Sequence, residues 1–191
     1  MIQDRLSDGA TDPGLPLSAS NGAPQPFRLL ERLYADDAMS SIFSQEATVL
    51  SWLKVESALA IAQGRLGVIE EQAAAGVAAA CSLEHIDMEE LWRETRVVGY
   101  PILPMVRQLA RAAPNRIASY IHFGATTQDI MDSGLALQLR EAMHRLDELT
   151  ASVGNLLCEA THSYRTTVMA GRTHGQHAVP TTFSKARGLS R

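Results

Sequence analysis

The chain has 191 residues, of which 46% are hydrophobic but only 5% aromatic, and its formal net charge is −4. This length allows one domain, or one domain and the start of a second. A core with so few aromatic residues must be built from Leu, Val, Ile, Ala and Met, which favours helices over a β-sandwich. The sequence has no block of basic residues, so its charge gives no indication of nucleic-acid binding.

The cysteines and the hydropathy indicate the compartment. Cys81 and Cys158 lie 77 residues apart and belong to no CxxC or Cys/His spacing. We therefore predict two reduced, buried cysteines and neither a disulfide nor a metal site. No apolar run is long enough to cross a membrane, and the N-terminus lacks the apolar core of a signal peptide. These features predict a cytoplasmic protein without a membrane partner.

The first 26 residues differ in composition from the rest. They hold four of the eight prolines, three glycines and no aromatic residue. We predict a flexible N-terminal extension over 1–26, an N-terminal helical domain over 27–127, and the beginning of a central helical bundle, incomplete in this chain, over 128–191. The predicted fold class is all-α.

Four helices are predicted in the N-terminal domain. Ser44 can cap a helix over 45–66, which Gly67 ends. Its predicted inner side consists of Val49, Leu50, Leu53, Ala58 and Ala62. An alanine-rich helix follows over 70–80. Asp87 and Glu90 resemble a capping box at the start of a helix over 88–96, and a helix over 103–113 stops at Pro114. No alternation long enough to predict a strand is present.

The clearest periodic signal predicts a long helix over 128–162. Its apolar residues follow one another at steps of four and three: Leu135, Leu139, Ala142, Leu146, Leu149, Val153, Leu156 and Ala160. We call these eight residues the heptad seam. A helix of this length, roughly 50 Å, needs packing partners along most of it. The seam predicts either packing between subunits or a long helix packed inside its own subunit.

The segment directly before this helix has the residue types of an anion site. In His122-Phe123-Gly124-Ala125-Thr126-Thr127-Gln128-Asp129, a glycine permits a tight turn and three neutral polar residues follow. Free backbone N–H groups and the positive end of the helix dipole favour a carboxylate at this position. The alternative is that Thr127 or Asp129 only caps the helix, although capping needs just one of these side chains.

A second segment after the helix has the residue types of a catalytic loop. Gly171-Arg172-Thr173-His174-Gly175-Gln176-His177 places a histidine between glycines. Histidine transfers protons at neutral pH, and glycines let the backbone approach a ligand closely. Thr173 and Gln176 could orient a substrate or His174. The alternative is a hydrogen-bonded structural histidine. The spacing of His174 and His177 also fits a metal, but no Cys, Asp or Glu is nearby to complete a site, so no metal and no cofactor is predicted.

These two segments, in this order around a long helix, resemble the fumarase/aspartase superfamily. The similarity extends upstream to Met39-Ser40-Ser41-Ile42-Phe43-Ser44 and to Trp52-Leu53-x-Val55-Glu56-x-Ala58-Leu59-Ala60, and covers about residues 28–183. The resemblance implies an all-α fold and a homotetramer. It also implies a reversible anti β-elimination, or in one branch a cycloisomerisation, on a small dicarboxylate or tricarboxylate.

The resemblance also implies roles for individual residues. His174 corresponds to the proton-transferring acid, and Thr173 beside it contacts the substrate. Thr126, Thr127 and Gln128 correspond to the residues that bind a substrate carboxylate. Gln176 helps to position the substrate or the His174 loop, and Asp129 braces its own loop.

The branch of the superfamily is indicated by the residues after Glu94-Thr95-Arg96. Adenylosuccinate lyases usually carry a His-Asp pair after this arginine, whereas this chain continues Val97-Val98-Gly99-Tyr100-Pro101. The absence of that histidine resembles the 3-carboxy-cis,cis-muconate cycloisomerase branch. An adenylosuccinate-lyase-like enzyme that releases fumarate is the alternative.

One departure from the superfamily concerns the C-terminal part. The superfamily's mobile Gly-Ser-Ser-x-Met-Pro-x-Lys-x-Asn loop, which supplies the serine implicated as base, is absent, and 184–191 are polar where the superfamily has an apolar helix. We therefore expect a truncated chain that is inactive or weakly active alone. The other possibility is an inert helical assembly module that uses the heptad seam.

Overall fold

A computed structural model describes residues 33–188 of the chain. The predicted extension over 1–26 lies outside the described residues. From Asp37 onward the described chain is one compact unit. The boundary predicted between residues 127 and 128 stays a prediction.

Helices dominate the described chain, as the all-α prediction requires. They are α1 (Asp37–Ile42), α2 (Gln45–Arg65), α3 (Glu71–Ala80), α4 (Met88–Val98), α5 (Ile102–Ala112), α6 (Asn115–Ala118), α7 (Thr127–Ser163) and α8 (Phe183–Gly188), with a 3₁₀ turn at Leu83–His85. Between α7 and α8 lie four strands of two residues each: β1 (Val168–Met169), β2 (Arg172–Thr173), β3 (Gln176–His177) and β4 (Thr181–Thr182). Strands this short cannot show an alternating pattern in sequence.

Local signals set the ends of the helices. The Ser44 side chain accepts a hydrogen bond from the backbone N–H of Ala47, which confirms the predicted cap of α2. Asp87 caps α4 in the same way by accepting from the N–H of Glu90. The second half of that capping box is absent, because the N–H of Asp87 donates to Gln108 and the Glu90 carboxylate pairs with Arg111 at 2.8 Å.

The core lies where α2 to α5 meet the start of α7. Its fully buried side chains include Leu53, Val77, Ile102, Met105, Leu109 and Ile130. The predicted inner side of α2 is half right. Val49 and Leu53 are buried, whereas Ala58 and Ala62 are exposed. The buried stripe continues from Leu53 to Glu56 and Ala60, so its steps from Val49 are four, three and four residues. Because one member of this stripe is a carboxylate, the pattern of apolar residues alone does not reveal it.

The 37-residue helix α7 packs on the core only along its first half. Its buried residues are Ile130, Gly134, Gln138 and Ala142, at intervals of one turn. The Gln138 amide donates to the carbonyl of Ile42 and to the hydroxyl of Thr48, which ties α7 to the chain around α1 and α2. Gly134 lies against Trp52, where an added Cβ would come within 2.6 Å of the indole.

The heptad seam is largely uncovered. Six of its eight residues are exposed large hydrophobics: Leu135, Leu139, Leu146, Leu149, Val153 and Leu156, with exposed fractions between 36% and 63%. Ala142 is buried and Ala160 is half-buried. Nothing in the described part of the chain covers the seam, so packing between subunits and packing inside its own subunit both stay predictions. The seam needs a partner outside the described residues.

The cysteines differ from their prediction. Neither forms a disulfide, but Cys158 is exposed and Cys81 is half-buried. Cys158 lies in the C-terminal half of α7, which the core does not cover, so its predicted burial is wrong. Burial, together with the nearby Glu56 carboxylate, raises the pKa of the Cys81 thiol to about 12. Cys81 is therefore an unreactive thiol at neutral pH.

Candidate active site

The segment before α7 forms a complete capping box. The backbone N–H of Thr126 donates to Asp129 Oδ2 at 2.9 Å, and the Thr126 hydroxyl donates to the same oxygen at 3.0 Å. In return the N–H of Asp129 donates to the Thr126 hydroxyl at 3.4 Å. The cap is therefore Thr126, and neither Thr127 nor Asp129 as the alternative supposed. Asp129 braces its own loop, as the resemblance implied.

These hydrogen bonds favour the ionised form of the Asp129 carboxyl in the first turn of α7. The backbone and hydroxyl groups of Thr126 hold the pKa of the Asp129 carboxyl below its usual range. The Thr126 hydroxyl is thus already engaged, and the Gln128 amide donates to Asp132. The backbone N–H groups of Thr127 and Gln128 belong to the first turn, where a helix supplies no partner from within itself.

A buried contact between this segment and α2 was not predicted from the sequence. His122 Nδ1 lies 2.6 Å from Glu56 Oε1, and the Glu56 side chain is only 1% exposed. Burial raises the pKa of the Glu56 carboxyl, although the hydrogen bond and the charge of His122 oppose that rise. The available signal was the position of Glu56, three residues after buried Leu53 and four before buried Ala60.

The raised pKa of Glu56 predicts how stability depends on pH. A carboxyl whose pKa is higher in the folded state stabilises the fold fully below its unfolded pKa, near 4.5, and loses this contribution as pH rises through the folded value. We expect Glu56→Gln to gain stability relative to the wild type as pH rises from about 4.5 towards neutrality. Urea unfolding across this range measures the difference. Glu159→Gln, on the exposed side of α7, is the control, and a pH-independent difference for Glu56→Gln would contradict the prediction.

The second predicted segment, 171–177, lies at the tip of a hairpin. The hairpin consists of two short antiparallel ladders, an outer one and an inner one. The outer ladder pairs Val168 with Thr182 and Met169 with Thr181. The inner ladder pairs Arg172 with His177 and Thr173 with Gln176, so His174 and Gly175 form the two-residue turn.

The backbone of this turn is left-handed. His174 has φ +49° and Gly175 has φ +73°, which are the signs that a type I′ hairpin requires. Gly175 therefore serves the turn. Gly171 serves packing, because an added Cβ would lie 2.4 Å from the carbonyl oxygen of Val179. The glycines thus shape the hairpin, which is a different role from the predicted approach to a ligand.

The hairpin presents its polar side chains to the outside. Thr173, His174 and Gln176 are all exposed, and Thr173 and Gln176 face each other across the ladder beside the turn. His122 and His174 are the only non-glycine residues with positive φ in the described part of the chain. Such a conformation costs free energy and is concentrated at functional sites. Each of the two histidines belongs to one of the predicted segments.

The structure brings the residues together within each segment but keeps the two segments apart. Helix α7 has 37 residues and is about 55 Å long at about 1.5 Å per residue. The rings of Tyr164 and Phe183, with centroids 5.2 Å apart, keep the outer ladder near the C-terminal end of α7. The six Cα–Cα steps from Val168 to His174 span about 20 Å at most. Thr127 and His174 of one chain are therefore more than about 20 Å apart.

The described residues contain neither a metal site nor a membrane-spanning helix. Within residues 33–188, no three His, Cys, Asp or Glu side chains gather closely enough to hold a metal ion. No helix in that same range is both long enough and apolar enough to span a bilayer.

Comparison with known proteins identifies the family. The sequence profile of a lyase family matches residues 31–189. The chain belongs to the fumarase/aspartase superfamily of lyases. A fumarate lyase from Mesorhizobium sp. BNC1 is 44% identical to this superfamily member, with a TM-score of 0.77 over 81% of this chain and 36% of that chain.

Two curated relatives represent the two branches considered above. The 3-carboxy-cis,cis-muconate cycloisomerase of Pseudomonas aeruginosa is 36% identical over 85% of this chain and 36% of its own length. The adenylosuccinate lyase of Methanocaldococcus jannaschii is 33% identical over 78% of this chain and 32% of its own length. This superfamily member therefore spans about a third of the length of these curated relatives.

Proposed function

We propose that this chain supplies the carboxylate-binding segment and the acid segment of an enzyme that catalyses anti β-elimination, or its reverse, on a di- or tricarboxylate. The observation that carries the proposal is the hairpin turn. It holds His174 exposed at its tip in a left-handed backbone, with Thr173 and Gln176 paired directly beside it. An exposed histidine beside polar side chains can come within hydrogen-bond reach of a substrate, and strained backbone conformations are concentrated at functional sites.

The proposed roles follow the chemistry of the elimination. A base removes the proton next to a carboxylate, and the resulting aci-carboxylate carbanion expels its β-substituent as an acid protonates the leaving atom. His174 is the acid. Thr173 contacts the substrate, and Gln176 positions the substrate or the hairpin.

The other segment stabilises the negative charge. We assign the carboxylate to the N-terminus of α7, with the side chains and N–H groups of Thr127 and Gln128 as its nearest donors. Thr126 contributes mainly through its capping box with Asp129, since its hydroxyl is engaged there. No metal or cofactor is needed for this chemistry.

The two segments must come from different copies of the chain if they serve one substrate. Within one chain they are more than about 20 Å apart, which exceeds the reach of a small carboxylate. The exposed heptad seam supports an assembly, because apolar residues at this spacing pack against another helix. We propose a homo-oligomer, a tetramer by resemblance to the superfamily, in the cytoplasm.

Within the superfamily we favour a substrate like that of the 3-carboxy-cis,cis-muconate cycloisomerases. The C-terminal end of α4 supports this choice, because Arg96 is followed by Val97 and Val98 where adenylosuccinate lyases usually carry a His-Asp pair. Val97 is 85% exposed and brings no titratable group to this position. An adenylosuccinate-lyase-like activity is the second candidate, supported by a curated relative at 33% identity.

A substrate comparison tests the proposal. The chain is incubated separately with 3-carboxy-cis,cis-muconate, whose conjugated diene absorbs in the ultraviolet, and with adenylosuccinate, whose product fumarate is detected by proton NMR. We expect slow loss of the diene, because the superfamily's serine loop is not among the residues of this chain, and no fumarate. We also expect Thr127→Ala/Gln128→Ala to lose this turnover and Ser133→Ala, one turn further along α7, to keep it.

The other outcomes are equally informative. Release of fumarate without loss of the diene would favour the second candidate. No turnover of either substrate by a chain that self-associates would contradict an enzymatic role for the chain alone and favour an assembly module.

A further inference from the structure

Two polar side chains of α2 hold the turn that precedes α7. Glu56 Oε1 lies 2.6 Å from His122 Nδ1. The Gln63 amide donates to the carbonyl oxygen of Phe123 at 2.7 Å. Glu56 and Gln63 are seven residues apart, two turns of helix, and so lie on the same face of α2. Two consecutive residues of the turn are therefore attached to one rigid helix.

The turn itself is a conformation that needs support. His122 has φ +60° and Gly124 has φ +70°. A left-handed backbone is easily adopted by glycine but costs free energy at histidine. The side chain of His122 is bonded to Glu56, so the strained residue is also the one that is tied to α2.

Each of the two supporting side chains, Glu56 and Gln63, has a second oxygen whose hydrogen-bonding capacity is not used. Glu56 Oε2 and Gln63 Oε1 are buried and lack a hydrogen-bond partner among the described residues. A buried carboxylate is often no more stabilising than an apolar residue of similar size. Polar groups buried at this cost point to a role in fixing geometry.

We propose that Glu56 and Gln63 are positioning residues that fix the turn over 122–124 and thereby aim the N-terminus of α7 at a substrate carboxylate. The inference rests on the proposed function, which assigns the carboxylate to Thr127 and Gln128. Only Ala125 separates this turn from Thr126, which its capping box with Asp129 locks to α7. The orientation of the loop is thus set from both ends, by α2 and by α7.

The contact also determines which nitrogen of His122 remains usable. Nδ1 is occupied by Glu56 whichever group carries the proton, so Nε2 is the nitrogen that a further group can use. The pair acts electrostatically on two other titratable groups: Glu56 raises the pKa of the Cys81 thiol, and His122 lowers the pKa of the Asp129 carboxyl.

The test compares Glu56→Leu, Glu56→Gln and Gln63→Leu with Gln108→Leu as matched control. Gln108 is a buried amide that bonds Asp87, away from the loop. The readouts are amide hydrogen exchange over 123–128, the ¹⁵N shifts of the His122 ring, the affinity for succinate, and thermal stability. Hydrogen exchange reports opening of the loop separately from global unfolding.

For Glu56→Leu we expect the amides over 123–128 to exchange at least about tenfold faster, the signature of a hydrogen-bonded Nδ1 to disappear, and succinate to bind at least about tenfold more weakly. Thermal stability is expected to fall, since removing one partner of a buried pair leaves His122 Nδ1 without its hydrogen bond. Gln108→Leu also removes buried hydrogen bonds, so it separates this general loss from opening of the loop. Glu56→Gln can still accept from Nδ1–H and should restore the wild-type values within about threefold. Gln63→Leu should speed exchange at 123–125, and it decides the matter if Glu56→Leu does not fold.

Other results would overturn the proposal. It fails if loop exchange is unchanged in both Glu56→Leu and Gln63→Leu. It also fails if Gln108→Leu loosens the loop equally, because the effect would then be general destabilisation. Failure of the proposed function is distinguishable: a wild-type chain that does not bind succinate contradicts that function, while faster loop exchange in Glu56→Leu still supports the positioning role.

Discussion

A chain in which Leu139 and Leu149 are both replaced by glutamate is expected to lose self-association. In the described chain these two side chains are 50% and 36% exposed, and in an assembly through the heptad seam they would be buried. Burying a leucine side chain contributes about 1.5–3 kcal/mol, and an unpaired carboxylate in an apolar seam is strongly unfavourable. We expect at least a hundredfold weaker association, about 2.7 kcal/mol, measured by analytical ultracentrifugation.

The matched control adds two glutamates to the same helix outside the seam. Ala151 and Gly154 are exposed, and an added Cβ at Gly154 would meet open space. Ala151→Glu/Gly154→Glu should therefore associate like the wild type. A monomeric wild type, or a Leu139→Glu/Leu149→Glu variant that associates normally, would contradict the seam as the assembly surface.

Replacement of His174 is expected to reduce turnover by about 10² to 10⁴, the usual contribution of a positioned acid or base. The suitable variant is His174→Asn, because asparagine tolerates the left-handed backbone that the turn requires. Binding of succinate should change by less than about threefold, since the carboxylate is assigned to the other segment. Steady-state turnover and a titration by calorimetry separate the two effects.

The control for this variant lies in the same hairpin. His177 is exposed and pairs with Arg172 across the inner ladder, so His177→Asn should retain turnover. Mixing His174→Asn chains with Thr127→Ala/Gln128→Ala chains should restore part of the activity, because intact segments from different copies can meet. Turnover that survives in His174→Asn would overturn the assignment of the acid.

Helix boundaries were predictable because they depend on neighbours in sequence. The helix predicted over 128–162 runs from Thr127 to Ser163 in the structure, and the cap at Ser44 was confirmed. The hairpin was not predicted. Its strands have two residues each, too few for an alternating pattern. In sequence, the turn at His174 and Gly175 cannot be told from a glycine-rich loop.

The contents of the candidate site were less predictable than its two segments. The Glu56–His122 pair joins residues 66 positions apart, and no local pattern couples them. The separation of Thr127 from His174 also depends on the contact between the rings of Tyr164 and Phe183, which keeps the hairpin near the C-terminal end of α7 and which no sequence pattern indicates. Burial of Cys158 was predicted wrongly, because it depends on a partner that the sequence does not specify.

The length of α7 carries an evolutionary consequence. Each residue of an α-helix turns the chain by about 100° and advances it by about 1.5 Å. A single insertion or deletion in the second half of α7 would therefore rotate the hairpin relative to the core. The same change would move the seam residues after it to a different face of the helix from those before it. Only changes of seven residues preserve the seam, and these would still move His174 by about 10 Å. Among descendants of this gene, the length of α7 should therefore vary less than its sequence.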